Sequence, residues 1–153
     1  MKFKHILAAS VLLFGCTALA VVSGAATASN ETVVSDGDNP EMTKIFYEIE
    51  VNASKEKAWE VLADFANLNW TKTVTDAHYI NDKQAEVGAA RHCDLANDGY
   101  IVERITQWEE GRKLAYVIDD ASDPITSDSY VTWRVTGDNN SSKVSFEAQY
   151  ELK

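Results

Sequence analysis

The sequence predicts an α+β fold made mainly of one antiparallel sheet. Three observations carry this. Gly88 to Ile118 reads as three consecutive strands separated by tight turns. A short amphipathic helix begins just after Ser54. A further alternating hairpin occupies Ser129 to Leu152. Strands followed by strands, with helix confined to one early stretch, point to an antiparallel sheet rather than to βαβ units.

The central strands are expected at Ala89–Leu95, Tyr100–Trp108 and Arg112–Ile118. Asp98-Gly99 and Gly111 supply the turn residues that permit positive φ. Val, Ile, Tyr and Trp are frequent and proline is missing, as interior strands require. Side chains alternate between two faces. One face carries Arg91, Cys93 and Leu95, then Ile101, Glu103 and Ile105, then Leu114, Tyr116 and Ile118. The other carries His92 and Asp94, then Val102, Arg104, Thr106 and Trp108. The first face is the more apolar and is placed inward. It would bury Arg91 and Glu103, which is costly unless they are paired. A structural ion pair, a face partly open to water, and a mostly apolar cavity with a few polar groups that orient a ligand all fit this pattern.

Upstream of these strands, Thr43–Val51 alternates as a first strand. Ser54 is a good N-cap for a helix reaching about Phe65. Ala58, Val61, Leu62 and Phe65 form its apolar face, which is expected to pack on the sheet. Asn67 to Trp70 forms a second short helix or a turn. Val74–Ile80 is the next strand, with Thr75, Ala77 and Tyr79 on one face and Val74, Asp76 and His78 on the other. Asp119 to Pro124 reads as an acidic solvated loop. In the last hairpin, alternation points Val131, Trp133 and Val135 inward with Phe146, Ala148 and Tyr150. Tyr130 stays open, because a bulge would switch its face.

The N-terminus belongs to a different class of sequence. Lys2, Lys4 and His5 precede an apolar run from Ile6 to Val22, and Ala26-Thr27-Ala28 is a good cleavage box. Residues 1–28 therefore read as a secretory signal peptide, and 29–42 as a flexible acidic leader. Leu13-Phe14-Gly15-Cys16 approximates a lipoprotein box, so anchoring at Cys16 is the alternative to a soluble exported, periplasmic protein. Signal removal leaves one cysteine, Cys93, and no internal disulfide. The net charge of −10 becomes more negative once Lys2 and Lys4 are lost, which argues against nucleic-acid partners. No stable membrane span is expected after signal cleavage.

Gly88-x-x-Arg91-x-Cys93-x-Leu95, Gly99-x-x-x-Glu103-Arg104 and Tyr116-x-Ile118 together resemble the START-like, or Bet v 1-like, superfamily. The similarity is to its polyketide cyclase/dehydrase and lipid-transport branch. Val51-Asn-Ala-Ser-Lys-Glu-Lys-Ala-Trp59, Asp64-Phe65 and Leu68-x-Trp70 extend the resemblance. It spans about Thr43 to Tyr150, within a domain drawn as 43–153. It implies a helix-grip fold: a curved antiparallel sheet, short N-terminal helices and a long C-terminal helix closing a cavity. By resemblance Trp70 lies near the cavity mouth and the Tyr79 face lines the cavity. The same analogy places Tyr130 and Glu147 in the cavity and a gating loop near residue 119. The long C-terminal helix has no counterpart before Lys153. An incomplete domain, a covering partner or second copy, and an open binding groove are the three readings of that departure.

The leading functional expectation is an exported binding protein for a small hydrophobic ligand. Tyr79, Leu95, Ile105, Tyr116 and Ile118 would form apolar walls with Trp70 and Cys93, while Arg91 and Glu103 orient a polar end. A cyclase/dehydratase-like enzyme is the alternative, with Glu103 as the candidate base and Tyr116 as proton donor. A protein-interaction module, including a homodimer across the open sheet face, is a third. His78 and His92 alternate to the outer face, and the spacing shows no metal-ligand cluster, no nucleophile–His pair and no phosphate-binding loop. No cofactor is expected.

Overall fold

The computed structural model describes residues 27–35, 42–122 and 129–151. They form one eight-stranded antiparallel sheet and one α-helix. In chain order these are β1 (Thr27–Ser35), β2 (Met42–Val51), α1 (Lys55–Ala63), β3 (Val74–Tyr79), β4 (Ala90–Leu95), β5 (Tyr100–Glu109), β6 (Lys113–Ala121), β7 (Tyr130–Gly137) and β8 (Ser142–Glu151). The sheet order is β1-β2-β8-β7-β6-β5-β4-β3. Strands β3 to β8 thus form a meander, and β2 returns to lie beside β8.

The alternation read from sequence sets the core. Ile45, Tyr47, Ile49 and Val51 of β2 are buried, while Phe46 between them is 39% exposed. Val131, Trp133 and Val135 of β7 face inward with Val144, Phe146 and Ala148 of β8. Ile105, Leu114 and Val135 are almost completely enclosed. Each such aliphatic side chain contributes roughly 1.5–3 kcal/mol relative to exposure. Tyr130 is 52% exposed, so it stands on the outer face, and alternation rather than family analogy describes β7.

Helix α1 starts where Ser54 accepts a hydrogen bond from Lys57 N at 3.2 Å, and it ends at Asp64. Its buried residues Ala58, Trp59 and Leu62 lie on the face that packs over β7 and β8. The backbone N–H of Lys55 donates to the Asp138 carbonyl at 3.0 Å, tying the helix start to the β7–β8 turn. Asn67–Trp70 forms turns and no second helix.

Several expectations change because of bulges and edges. Residues 29–35, expected as irregular leader, lie in β1, whose ladder runs from Thr27 opposite Glu50 to Ser35 opposite Thr43. An edge strand hydrogen-bonds on one side only and need not alternate hydrophobically, so the polar sequence hid it. Residues 36–41, the apolar N-terminal segment and Cys16 lie outside the described residues. In β3 the register shifts after Val74, so Val74 is buried and Thr75 is exposed, the reverse of simple alternation. A second shift between Ile105 and Gln107 turns Trp108 toward the core side, where it packs on Trp59. Asp119 and Asp120 extend β6 instead of opening a loop. They engage Arg104 Nε at 2.7 Å and the Tyr100 hydroxyl at 3.1 Å, respectively. The expected gating loop falls largely on residues 123–128, outside the described residues. At the β4–β5 turn, Asp98 holds the left-handed conformation, with φ 64°. Gly99 serves close approach instead: a Cβ there would lie 2.6 Å from Ser122 Oγ.

Candidate functional site

Arg91 and Glu103 are register partners on β4 and β5, so their side chains leave the sheet side by side. Both are 3% exposed. Arg91 Nε donates to Glu103 Oε2 at 2.6 Å, and Arg91 Nη1 donates to the Phe65 carbonyl. The guanidinium carbon lies 3.8 Å from the Phe65 ring centroid and 5.3 Å from that of Tyr116. Burial, the largest single influence, would lower the Arg91 pKa, but the Glu103 carboxylate together with Cys93 and Tyr116 raises it overall and holds the guanidinium charged. The ion pair that the sequence allowed is formed, and neither partner is open to water.

The pair forms a polar seam between two apolar clusters. Phe65, Ile105 and Tyr116 belong to the larger one, and Leu68, Val74, Cys93 and Ile101 to the smaller. Above Arg91 lies a narrow crevice between the sheet and the end of α1. Val61, Leu62, Trp70, Arg91, Tyr116 and Trp133 are among its lining residues. Its free volume is about 20 Å³. That admits a water-sized group. It lies far below the roughly 300–1,000 Å³ of typical ligand cavities. Val61, Asp64 and Trp70 also border an open surface cleft of about 400 Å³. The half-buried Trp70 therefore stands between the crevice and solvent.

A second contact fixes α1 over the crevice. The Trp59 and Trp108 indole N–H groups donate to the two oxygens of Glu110, at 2.8 and 2.9 Å. The two rings meet edge to face with centroids 5.1 Å apart. Such a shared carboxylate satisfies both donors at once.

The predicted ligand-binding set is thus divided. Trp70, Arg91 and Tyr116 line the crevice. Glu103 lies behind Arg91, paired with it. Ile105 is packed in the larger cluster, while Cys93 and Leu95 belong to the smaller one. Tyr79 is half-buried against the larger cluster, and Ile118 is half-buried on β6 outside the lining. The lining contributed by Val61, Leu62 and Trp133 was present in the sequence as core positions of α1 and β7, but not as a site.

Burial makes the reactive groups here inert. It pushes the Cys93 thiol up to about 12, with Glu103 adding to the effect, and the residue is fully enclosed. Burial also drives the Tyr116 phenol far above its ordinary value, with the Glu103 charge second. Tyr79 is raised as well, first by burial and then by Asp64. A Tyr116 proton so firmly held is a poor acid, and Glu103 already accepts from Arg91 and, at 3.8 Å, from the Cys93 thiol. Neither His78 nor His92 reaches the crevice. Among the described residues no three or more His, Cys, Asp or Glu side chains converge in metal-holding geometry.

Residues 42–153 match the family described as polyketide cyclase / dehydrase and lipid transport. The chain belongs to this family. Among solved structures, it is similar to the Zhui aromatase/cyclase from a Streptomyces species, at 16% identity and a TM-score of 0.63, over 73% of this chain and 69% of that one. A START superfamily protein from Mycobacterium smegmatis is similar at 13% identity and a TM-score of 0.62, over 72% and 77% of the two chains. Ara h 8.0201 is similar at 12% identity and a TM-score of 0.61, over 73% and 79%. These likenesses establish the Bet v 1-like helix-grip fold. No curated protein matches the chain. No helix among the described residues is long and apolar enough to cross a membrane.

Proposed function

We propose that this protein binds a small hydrophobic molecule between α1 and the sheet, with Arg91 at the floor of the site. The observation that carries this is the narrow crevice above Arg91, apolar along most of its wall and bordered by Trp70, which also lines the open cleft. The family's lipid-transport and cyclase description supports the same ligand class. The crevice is too small for such a ligand as it stands, so binding requires the 64–70 turns and Trp70 to move outward and join it to the cleft. A guanidinium below an apolar wall favours a ligand with one hydrogen-bond acceptor, such as a carboxylate or ketone oxygen.

Turnover of the cyclase/dehydratase kind is the less favoured reading. Glu103 is committed to Arg91, and Tyr116 holds its proton too tightly to supply it. We further propose export, supported by the charged start, the apolar run and the Ala26-Thr27-Ala28 box. Cleavage after Ala28 would leave residues 29–35 to pair with β2. N-terminal sequencing of the cell-free or periplasmic fraction tests this, and an unprocessed cytoplasmic chain refutes it.

The ligand-binding reading is tested by displacing 1-anilinonaphthalene-8-sulfonate with oleate. Val61→Trp fills the crevice from its half-exposed rim. It should weaken oleate binding at least tenfold while leaving the unfolding midpoint nearly unchanged. Saturable binding that Val61→Trp does not alter would place the ligand elsewhere.

A further inference from the structure

Arg91 already holds a carbonyl. Its Nε is committed to Glu103 Oε2 at 2.6 Å, and its Nη1 donates to the main-chain carbonyl of Phe65. All three residues are buried, so both contacts are made away from water. The Phe65 ring covers a face of the guanidinium, with the central carbon 3.8 Å from the ring centroid. One residue therefore occupies Arg91 twice, with its oxygen and with its ring. The crevice leaves about 20 Å³ beside them, room for a water-sized group.

Phe65 lies beyond α1, whose last residue is Ala63, in turns whose own hydrogen bonds are short-range. Phe65 N donates to the Ala63 carbonyl and Asn67 N to the Asp64 carbonyl, each at 2.9 Å, and Asn67 Nδ2 donates to Asp64 Oδ2 at 3.1 Å. Such local bonds travel with a segment that moves. Toward the sheet, the turns meet Arg91 at the Phe65 carbonyl and the Tyr79 hydroxyl at the backbone of Ala66 and Phe65. These contacts must be exchanged when the segment moves. Asp64, Asn67 and Asn69 also border two open clefts of about 360 and 400 Å³, so the turns have open space beside them.

We propose that the Phe65 carbonyl occupies the position on Arg91 that a ligand's oxygen takes, and that the ligand is a neutral carbonyl compound, a ketone or ester, rather than a fatty acid. This rests on the binding reading above and specifies its ligand. The exchange is one carbonyl for another. Arg91 Nη1 keeps an acceptor, Nε keeps Glu103, and the released Phe65 carbonyl is satisfied by water. A carboxylate is not an equal exchange. Glu103 already neutralises Arg91, so a second carboxylate brings an uncompensated charge into a buried site. The surroundings offer it no counter-charge. Burial keeps the Cys93 thiol and the Tyr116 phenol protonated, and Asp64 lines the crevice as a further acidic group. Lys57, on the neighbouring cleft, is paired with Glu60 at 2.7 Å. A ligand without an acceptor is disfavoured as well, because it displaces the Phe65 oxygen and leaves a buried donor unmatched.

Three naphthalenes of similar shape test this by isothermal titration: 2-acetonaphthone, 2-naphthoate and 2-ethylnaphthalene. The ketone should bind at least tenfold more tightly than either of the others. In NMR it should shift the Phe65 carbonyl carbon and the Ala66 amide together with the Arg91 Nε–H. The double variant Arg91→Met/Glu103→Leu should lose the preference, binding ketone and 2-ethylnaphthalene within about threefold of each other. Naphthoate binding as tightly as the ketone overturns the proposal and leaves the hydrophobic site standing. So does equal binding of the ketone and 2-ethylnaphthalene by the native protein, or ketone binding that leaves the Phe65 carbonyl unshifted. Oleate serves as the control. Oleate bound and the ketone not bound overturns the proposal alone, whereas no binding of any of the four overturns the binding reading with it.

Discussion

Breaking the Arg91–Glu103 pair from either side should have unequal costs, and the inequality follows from what each partner keeps. Arg91→Met leaves the Glu103 carboxylate enclosed with only the Cys93 thiol, 3.8 Å away, beside it. An uncompensated buried charge costs about 3–5 kcal/mol, and Arg91→Met belongs at the upper end. Glu103→Leu leaves a guanidinium that still donates to the Phe65 carbonyl and lies 3.8 Å from the Phe65 ring centroid. Retained cation–π attraction of up to about 2 kcal/mol puts this variant lower. Glu103→Gln keeps an acceptor oxygen and should cost roughly 1–3 kcal/mol. The double variant Arg91→Met/Glu103→Leu removes both charges. It should recover most of the loss, because well-packed apolar replacement of a buried pair is neutral or stabilising by about 1–4 kcal/mol. Urea unfolding monitored by tryptophan fluorescence measures all four, with the coupling read from the cycle. Additive single effects, or single losses below about 1 kcal/mol, would refute a desolvated, directly coupled pair.

Other consequences are narrower. The Cys93 thiol, enclosed and pushed up to about 12, should resist iodoacetamide at pH 8 in the folded protein and react promptly in urea. Fast labelling without denaturant would contradict that burial. Glu110→Ala should red-shift tryptophan emission and cost roughly 1–3 kcal/mol, because it strips the acceptor from the buried Trp59 indole. An unchanged spectrum would mean that the shared carboxylate does not fasten α1. The Asp138 carboxylate is held below its ordinary value by the N–H groups of Asn140 and Ser141. Its folded value being the lower one, the turn's stabilisation is present above the unfolded Asp pKa and fades as pH falls through the folded one. A carboxyl NMR titration should find Asp138 protonating below the ordinary Asp value, and Asp138→Ala should remove its share of the acid-side loss.

Much of the fold was legible because period-two alternation survives along each regular stretch of the ladders, such as Glu103–Ile105 opposite Tyr116–Ile118. Arg91 with Cys93, Glu103 with Ile105, and Leu114 with Tyr116 were all read onto the buried face, as were Val131, Trp133 and Val135. The misreadings coincide with bulges. A single extra residue exchanged the faces of Val74 and Thr75 and brought Trp108 onto Trp59, and nothing in local composition marks either place. Strand β1 was missed because an edge strand can be polar throughout. The crevice was legible only in part. Arg91, Tyr116 and Trp70 carried chemical or family signals, while Val61, Leu62 and Trp133 looked like ordinary packing residues until α1 was placed over β7 and β8.

The claim that this fold holds a hydrophobic small molecule meets its most direct test in native mass spectrometry of the full chain, purified without detergent from cells that export it. The account predicts a bound species of lipid or metabolite mass that is released by organic solvent and is lost in Val61→Trp. A protein that is unliganded as purified, and remains so after incubation with oleate and with aromatic ketones, would contradict it.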